Sequence, residues 1–490
     1  MKIKVENTSE LEISTDVLIL PVLEGEDISQ YADVDENIGG IIAKLVESKE
    51  FTGKHKQTAI IHTNGIAPKR IMLAGLGKAS EISHEKIRSL GGKVFKQIRT
   101  MYCLDAAISN RLFNTIEKDI KGDYPPAFYF IEGGLLGLYR FTKYKTEKID
   151  TNEIDSITVL NEQDDLPLNW LQKTIAAVYY ARDMVNTPPK DMTPTVITEY
   201  AKALYPKVVK VQVLEKEAVE NENMGAYLSV SRGSDQPLKF IVIEYNAGTG
   251  SPIALVGKSI TFDSGGLSIK PANSMEDMKY DMSGGAAVLG TLKALIELAL
   301  PLNIVAVLPA TENLINGYAS KPGDVVSAIT GKTIEILNTD AEGRLTLADG
   351  IGYAIKYYKP RAIIDIATLT GACSVALGHE AVAIMGTDRE LIDRFKKAGN
   401  ETYERVWEMP LFDEYKEYIK SDVADLKNVG GRAGGVVTAG YFLKEFTGNT
   451  PWVHLDIAST AWKDKEKDYL PKGGTGIGVR LLLNVLKEFV

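Results

Sequence analysis

The chain has 490 residues, more than one hydrophobic core accommodates, so two domains are expected. With 44% hydrophobic and 25% charged residues it has the composition of a soluble globular protein, and a net charge of −9 argues against a nucleic-acid footprint. Its two cysteines, Cys103 and Cys373, exclude a disulfide scaffold and a cysteine-built zinc site and fit a reducing compartment.

The opening residues (MKIKVE) carry no apolar h-region, so no secretory signal is read and the cytoplasm is the expected location. Runs at 16–22 (DVLILPV), 58–62 (TAIIH) and 70–76 (RIMLAGL) predict strands, and 83–98 predicts an amphipathic helix. Strands alternating with helices predict α/β layers. A polar, acidic stretch at 151–165 places a boundary between domains 1–165 and 166–490, with a helix at about 168–185 joining the halves. Downstream, short β-branched runs at 253–256, 304–308, 333–337, 362–366 and 452–457 predict a sheet covered on both faces. Helical patterns lie at 286–300 and 345–358. The apolar region 286–310 is interrupted by Lys293, Glu297 and Pro301, so it reads as helix, turn and strand rather than a membrane span.

In such sheets active sites lie at the carboxyl ends of strands, and two polar clusters are expected there. The first is 256–266 (VGKSITFDSGG), running on to Lys270 and Asp281. Lys258 and Asp263 follow a buried run, the glycines permit sharp turns, and Asp281 precedes a helix start. For any one of these residues, capping or loop solvation is the ordinary account. The second cluster is 340–344 (DAEGR). In an extended segment residues two apart point the same way, so Asp340 and Glu342 would project together from the end of the 333–337 strand. Carboxylates that close repel unless a proton or cation sits between them, and a hard divalent cation suits oxygen ligands. Arg344 would offer a bidentate anion site beside it. A solvated acidic loop with a local salt bridge is the alternative.

Taken together, Asp263, Asp281, Asp340 and Glu342 suffice for two metals about 3.5–4 Å apart that share a bridging water of lowered pKa. Lys258 would ligate only as the neutral amine, which requires a strongly lowered pKa. Lys270, kept charged, would polarise a carbonyl. Other signals fail: the five histidines form no H-E-x-x-H, Val326 stands where a P-loop needs its first glycine, 474–478 (GTGIG) lacks the dinucleotide spacing, and there is no Gly-x-Ser-x-Gly elbow. His379 and His454 read as core or supporting residues. Met275, Met278 and Met282 read as core filling or the lining of an apolar pocket.

The octapeptide 338–345 (NTDAEGRL) resembles the signature of the leucine aminopeptidase family, the cytosol aminopeptidases. Segments 181–194 (ARDMVNTPPKDMTP), 224–235 (MGAYLSVSRGSD), 256–271 (VGKSITFDSGGLSIKP), 321–324 (KPGD) and 454–458 (HLDIA) are similar to family blocks, in the family's order. The resemblance covers 181–480 and is weaker in the N-terminal third, where 135–145 (LLGLYRFTKYK) is the clearest echo. It implies an N-terminal α/β domain with an oligomeric or regulatory role, and a larger α/β/α catalytic domain with a central mixed sheet. It implies two divalent cations per subunit, Mn2+ or Zn2+ with Mg2+ also used. Lys258, Asp263, Asp281 and Glu342 match the tight site; Asp263, Asp340 and Glu342 match the exchangeable one. Lys270 matches the catalytic lysine, and Arg344 the arginine that holds a bicarbonate acting as general base. Met278, Asn338, Thr368, Leu369, Gly371 and Ala458 match substrate-binding positions.

The expected reaction is release of N-terminal residues, leucine and other apolar ones preferred, from peptides by a metal-bridged hydroxide. The expected assembly is a homo-hexamer, a dimer of trimers, without membrane or nucleic-acid partners. Ser259 and Ser459 stand where the family usually has glycine, and Ala461 where some relatives are bulkier; these departures bear on side-chain preference and remove no ligand. Two rival readings make different predictions. A two-metal phosphatase or nuclease would cleave phosphoesters with no need of a free α-amine. A nucleic-acid or regulatory scaffold would give a salt-sensitive gel shift.

Overall fold

An unbroken apolar run, Val17–Leu23, is buried along its whole length and forms an inner strand of the first sheet. That sheet contains β1 (Lys2–Glu6), β2 (Val17–Leu23), β3 (Thr58–His62), β4 (Arg70–Gly77), β5 (Asp105–Ser109) and β6 (Ser156–Leu160), in the order β1-β6-β5-β2-β4-β3. Neighbours run parallel except at the edge, where β3 pairs antiparallel with β4. Strand β6 lies within the acidic stretch expected to be a boundary; its Ile157, Val159 and Leu160 are buried between β1 and β5. Five residues among polar flanks are too short a run to stand out by composition. The computed structural model describes residues 1–25, 28–120, 122–147, 152–162, 166–205 and 207–490, so part of that stretch lies outside the described residues.

Helix α1 (His84–Thr100) starts where the Ser83 hydroxyl accepts the Lys86 amide at 3.3 Å. It packs on α2 (Pro126–Leu138), which opens on a proline whose fixed φ suits a first turn. The two backbones touch. A Cβ on Gly91 would lie 1.9 Å from the Phe130 carbonyl oxygen, and one on Gly133 would lie 1.8 Å from that of Arg88. This approach encloses Arg88, whose guanidinium donates to Glu132 at 2.6 Å and Glu85 at 2.7 Å. Helix α3 (Leu168–Asn186) follows. The chain divides into two units, 1–175 with 465–471, and 176–464 with 472–490.

The second unit carries β7 (Val209–Leu214), β8 (Lys239–Asn246), β9 (Ile253–Gly257), β10 (Ser259–Asp263), β11 (Asn303–Asn313), β12 (Asp324–Ser327), β13 (Thr333–Ile336), β14 (Ala362–Ala367), β15 (Val382–Gly386), β16 (Val406–Glu408), β17 (Leu426–Lys427) and β18 (Trp452–Asp456). Its main sheet has the order β16-β15-β18-β14-β9-β11-β8-β7, with β10 added on β11. The centre, β18-β14-β9-β11, is parallel, and antiparallel pairs flank it, which makes the sheet mixed as expected.

Helices α4 (Ser283–Glu297) and α5 (Gly343–Tyr358) cover opposite faces of this sheet. Val256 meets α5 at Gly350, where an added Cβ would lie 2.9 Å from the valine methyl. The next residue, Gly257, faces the other way, and a Cβ there would lie 2.8 Å from the Cα of Gly285 in α4. One expected strand is displaced. Strand β13 belongs to a separate three-stranded sheet, β12-β13-β17, and not to the central one. Its residues alternate half-buried and buried, the mark of a strand covered on one face only.

In the sheet centre Asp365 of β14 stands beside His454 of β18, both fully buried. Asp365 accepts the Trp452 indole N–H at 2.6 Å and lies 2.5 Å from His454 Nδ1. Burial alone would lower the imidazole pKa, but the Asp365 charge, with Asp456 adding and Arg344 opposing, holds it above the ordinary value.

Gly91→Ala or Gly133→Ala should destabilise the first unit by about 1–3 kcal/mol in denaturant unfolding, because backbone must move. Gly317→Ala, where the added Cβ meets nothing within 4 Å, should be near neutral. A raised histidine pKa gives stability that is full below about pH 6.5 and lost as pH rises through the folded value. Asp365→Asn should therefore cost most stability below that pH, with the deficit narrowing as pH rises; a deficit independent of pH would refute the charged pair.

Candidate metal centre

The central strand β9 stops at Gly257, and Lys258 occupies the break before β10. Its amide donates to the Ile366 carbonyl at 3.1 Å, and its carbonyl accepts the Gly285 amide at 2.7 Å. The side chain runs across Gly343, where a Cβ would lie 2.6 Å from Lys258 Cε. Glycine at 343 thus makes room for the lysine. The buried ammonium reaches Asp281 Oδ2 at 2.8 Å, Glu342 Oε1 at 2.7 Å and the Thr368 carbonyl at 2.9 Å. Asp281 sits in a 3-10 turn that feeds α4, and its Oδ1 accepts the Thr368 hydroxyl at 2.8 Å.

Glu342 is the N-cap of α5 and has helical dihedrals, φ −84° and ψ −36°. The segment carrying Asp340 and Glu342 is therefore a turn and not the extended strand end expected from sequence. Asn338 shapes it by accepting the Asp340 amide on Oδ1 at 2.9 Å.

Asp263 ends β10. Gly265 (φ +87°) and Gly266 (φ +61°) then reverse the chain in the left-handed region that favours glycine. The reversal brings Lys270 back, its amide bonded to the Ser264 carbonyl at 3.0 Å. The Lys270 ammonium lies 2.8 Å from Asp263 Oδ2 and 2.5 Å from Asp340 Oδ1. Carboxylate oxygens of Asp263, Asp340 and Glu342 all lie within 4.8 Å of one another.

Four carboxylates here face two ammonium groups, a formal excess of two negative charges. Burial and the Glu342 charge push the Asp263 carboxyl up to about 6. Burial raises Asp281 and Asp340 as well. Burial would raise Glu342 too, but the two lysines outweigh it and hold it low. For both lysines burial opposes the charge and the surrounding carboxylates overcome it. The neutral Lys258 amine expected for ligation is thus not favoured by these carboxylates alone; it needs a cation in place of the proton.

The donor set fits such cations. Glu342 Oε2 is buried with no hydrogen-bond partner. Asp281 Oδ2 and Asp340 Oδ1 meet the ammonium groups at ion-pair distance but outside hydrogen-bond direction. Oxygen ligands in negative excess are what hard divalent ions require.

Arg344, nearly buried, donates one N–H to the Asn428 carbonyl at 2.8 Å, while its buried Nε has no partner. Burial lowers its pKa to about 10, and an anion at that Nε would restore the pairing.

The remaining expected residues lie on adjoining segments. Met278 opens the turn that carries Asp281. Leu369 follows Thr368, and Gly371 begins a short helix, Gly371–Leu377. Ala458 packs against a small apolar cluster that includes Cys373. Ser259 is fully buried, its hydroxyl bonded to the Gly257 carbonyl, and the Ser459 hydroxyl bonds the Ala381 carbonyl at 2.9 Å.

Sequence reasoning missed several supports. Asp456, fully buried, accepts the Leu369 and Ala458 amides, both at 3.1 Å, and the Thr370 hydroxyl at 2.7 Å. A carboxylate inside the apolar run 452–457 was its signal. Asn313 donates Nδ2 to Asp263 Oδ1 at 2.8 Å and to the Thr339 carbonyl at 3.0 Å. Asn428 contacts the turn before Glu342. Neither asparagine had a sequence signal.

Comparison with known proteins agrees with this geometry. Residues 179–483 match the model of the cytosol aminopeptidase family catalytic domain, and residues 19–148 that of the family's N-terminal domain. The chain is 43% identical over 498 residues to a "Probable cytosol aminopeptidase" of Geobacter sp. (strain M21), covering 100% of both. It is 40% identical over 505 residues to one from Alkaliphilus metalliredigens (strain QYMF), covering 100% of this chain and 99% of the relative. A mutant tomato leucine aminopeptidase superposes with TM-score 0.88 at 31% identity, covering 100% of this chain and 96% of that one. The bottromycin maturation enzyme BotP, solved in complex with Mn, gives TM-score 0.85 at 28% identity, with 97% and 99% covered. Both halves are matched and the relatives align end to end, so the chain belongs to the cytosol aminopeptidase family and is a metal-dependent aminopeptidase, a hydrolase.

Proposed function

We propose that the enzyme releases N-terminal residues, leucine and other apolar ones preferred, from unblocked peptides. The observation that carries this reading is two sets of ion contacts, 2.5–2.8 Å long, Lys258 with Asp281 and Glu342 and Lys270 with Asp263 and Asp340, that meet where carboxylate oxygens of Asp263, Asp340 and Glu342 lie within 4.8 Å of one another. Lys258, Asp263, Asp281 and Glu342 would hold one divalent cation, and Asp263, Asp340 and Glu342 the second; Mn2+ or Zn2+ suits this mixed set, and Mg2+ the carboxylates. When bound, such a pair supplies Lewis acidity toward a carbonyl and lowers the pKa of water toward neutrality.

The residues of the chain do the rest. Lys270 stays charged because Asp263, Glu342 and Asp340 outweigh its burial, so it can stabilise the developing oxyanion as electrophile. Arg344 presents its unpartnered Nε–H to a bicarbonate, which serves as general base when bound. The free α-amine lies toward Asp281, which restricts cleavage to chain ends. Met278, Asn338, Thr368, Leu369, Gly371 and Ala458 border the substrate, and Asp456 orders the last part of that wall. The first unit serves assembly or regulation, the working form is a hexamer built as a dimer of trimers, and the enzyme acts in the cytoplasm. Among the described residues no helix is long and apolar enough to cross a membrane.

Purified protein should hydrolyse a leucyl chromogenic amide, lose that activity to a chelator and regain it with Mn2+ or Zn2+. Asp340→Asn should lower the rate on the order of 100-fold or more. Lys270→Met should lower kcat about 10²–10³-fold with KM little changed. N-acetylated peptides should resist cleavage, and equal cleavage of blocked and free peptides would sink the role given to the amine. Gly343→Ala should displace the Lys258 ammonium and cut kcat by about 10²-fold while far-UV circular dichroism stays native.

A further inference from the structure

The turn that carries Asp340 is short of regular backbone partners. Buried main-chain N–H and C=O groups need partners, and an irregular loop must find them outside helix and sheet ladders. One remote side chain supplies them. Asn428 is fully buried and follows β17, which pairs parallel with β13 in the register Ile334 to Leu426 and Glu335 to Lys427. That register sets Asn428 beside the exit of β13.

Its Oδ1 accepts the Leu337 amide at 2.9 Å and the Asn338 amide at 3.3 Å. Its Nδ2 donates to the Asn338 carbonyl at 2.7 Å and the Ala341 carbonyl at 3.3 Å. A carboxamide has two acceptor lone pairs and two donor hydrogens, so this one is fully used. The main chain of the same residue makes two further contacts. Its amide donates to the Glu335 carbonyl at 2.9 Å, and its carbonyl accepts Arg344 Nη1 at 2.8 Å. A single residue thus touches the strand before the turn, the turn itself and the arginine after it. Aspartate has the same shape but no donors, and alanine has neither function.

We propose that Asn428 is a positioning residue that locks the turn bearing Asp340 and Glu342 to the guanidinium of Arg344 as one rigid unit. The proposal rests on the reading of Asp340, Glu342 and Arg344 as working residues. Loosening the turn would spread the positions of the Asp340 carboxylate and of Asn338 beside it, while leaving Met278, Thr368, Leu369, Gly371 and Ala458 in place. The expected signature is a weakened cation site and a lower kcat, with a smaller change in KM.

The test uses the full-length chain. Chelator-treated parent, N428A and N428D are titrated with Mn2+ in a calorimeter, assayed on a leucyl amide and melted by circular dichroism. Supporting parts that orient metal ligands typically change affinity by about 10–100-fold. One of the two Mn2+ affinities should fall by about that factor in both variants, and kcat should fall with it. The ratio of N428D kcat to parental kcat should rise as pH is lowered, because protonation returns one donor toward the Asn338 carbonyl. A lowered Tm with parental Mn2+ affinities and kcat would overturn the proposal, as would failure of both variants to fold, since the residue would then serve the fold alone. D340N is run alongside: full activity there sinks the underlying reading, and the Mn2+ titration of N428A and N428D then decides the turn's role by itself.

Discussion

Three carboxylates with oxygens within 4.8 Å of one another, and a fourth, Asp281, joined to Glu342 through the Lys258 ammonium, would drive any loose loop apart. The surrounding fold is organised around resisting that repulsion. Two lysines pair with the acids, and further neighbours hold the carboxylates in place. Asp281 is tied to Thr368, Asp263 to Asn313 and Gly265, and Glu342 begins a helix whose backbone dipole favours a negative charge there.

Close backbone approach is the second device. The break between β9 and β10 sits against the start of α4 because Gly257, Gly284 and Gly285 have no side chains to separate them. Gly265 and Gly266 reverse the chain so that Lys270 returns to the acid preceding it by seven positions. These glycines matter through the atoms they lack. They allow a parallel sheet to deliver side chains from its strand ends into a space narrow enough for ion contacts.

Much of this was legible in the chain alone. Long apolar runs such as the inner strands of both sheets announce themselves by composition, as do the helical patterns at 286–300, after a glycine pair, and at 345–358. The charged residues of the centre were legible because Lys258 and Asp263 follow an apolar run, Asp281 precedes a helix start, Asp340 and Glu342 are two apart after another run, and the segments that carry them resemble family blocks. The geometry joining them was not. Thr333–Ile336 reads as one more buried strand until its alternation is weighed, and it turns out to form part of a side sheet. Asp340 and Glu342 were grouped correctly for the wrong reason, since they share a turn and not a strand face. Asn313 and Asn428 could not be found, because a buried asparagine reads like any loop asparagine until the backbone groups it serves are known. Strand β6 was hidden for the opposite reason, a short apolar run inside acidic flanks.

The contact between Lys258 and position 343 has a wider meaning. The lysine stem fills the volume that a side chain at 343 would occupy, 2.6 Å from where a Cβ would begin. The two positions therefore share one allotment of space, and neither can be altered independently. A bulkier residue at 343 would be accommodated only with the lysine stem displaced or shortened, and either change would take the nitrogen away from Asp281 and Glu342. Any variant of this enzyme that keeps its amine must keep the gap beside it, so in such variants a hydrogen atom at 343 is as strictly required as the nitrogen at 258.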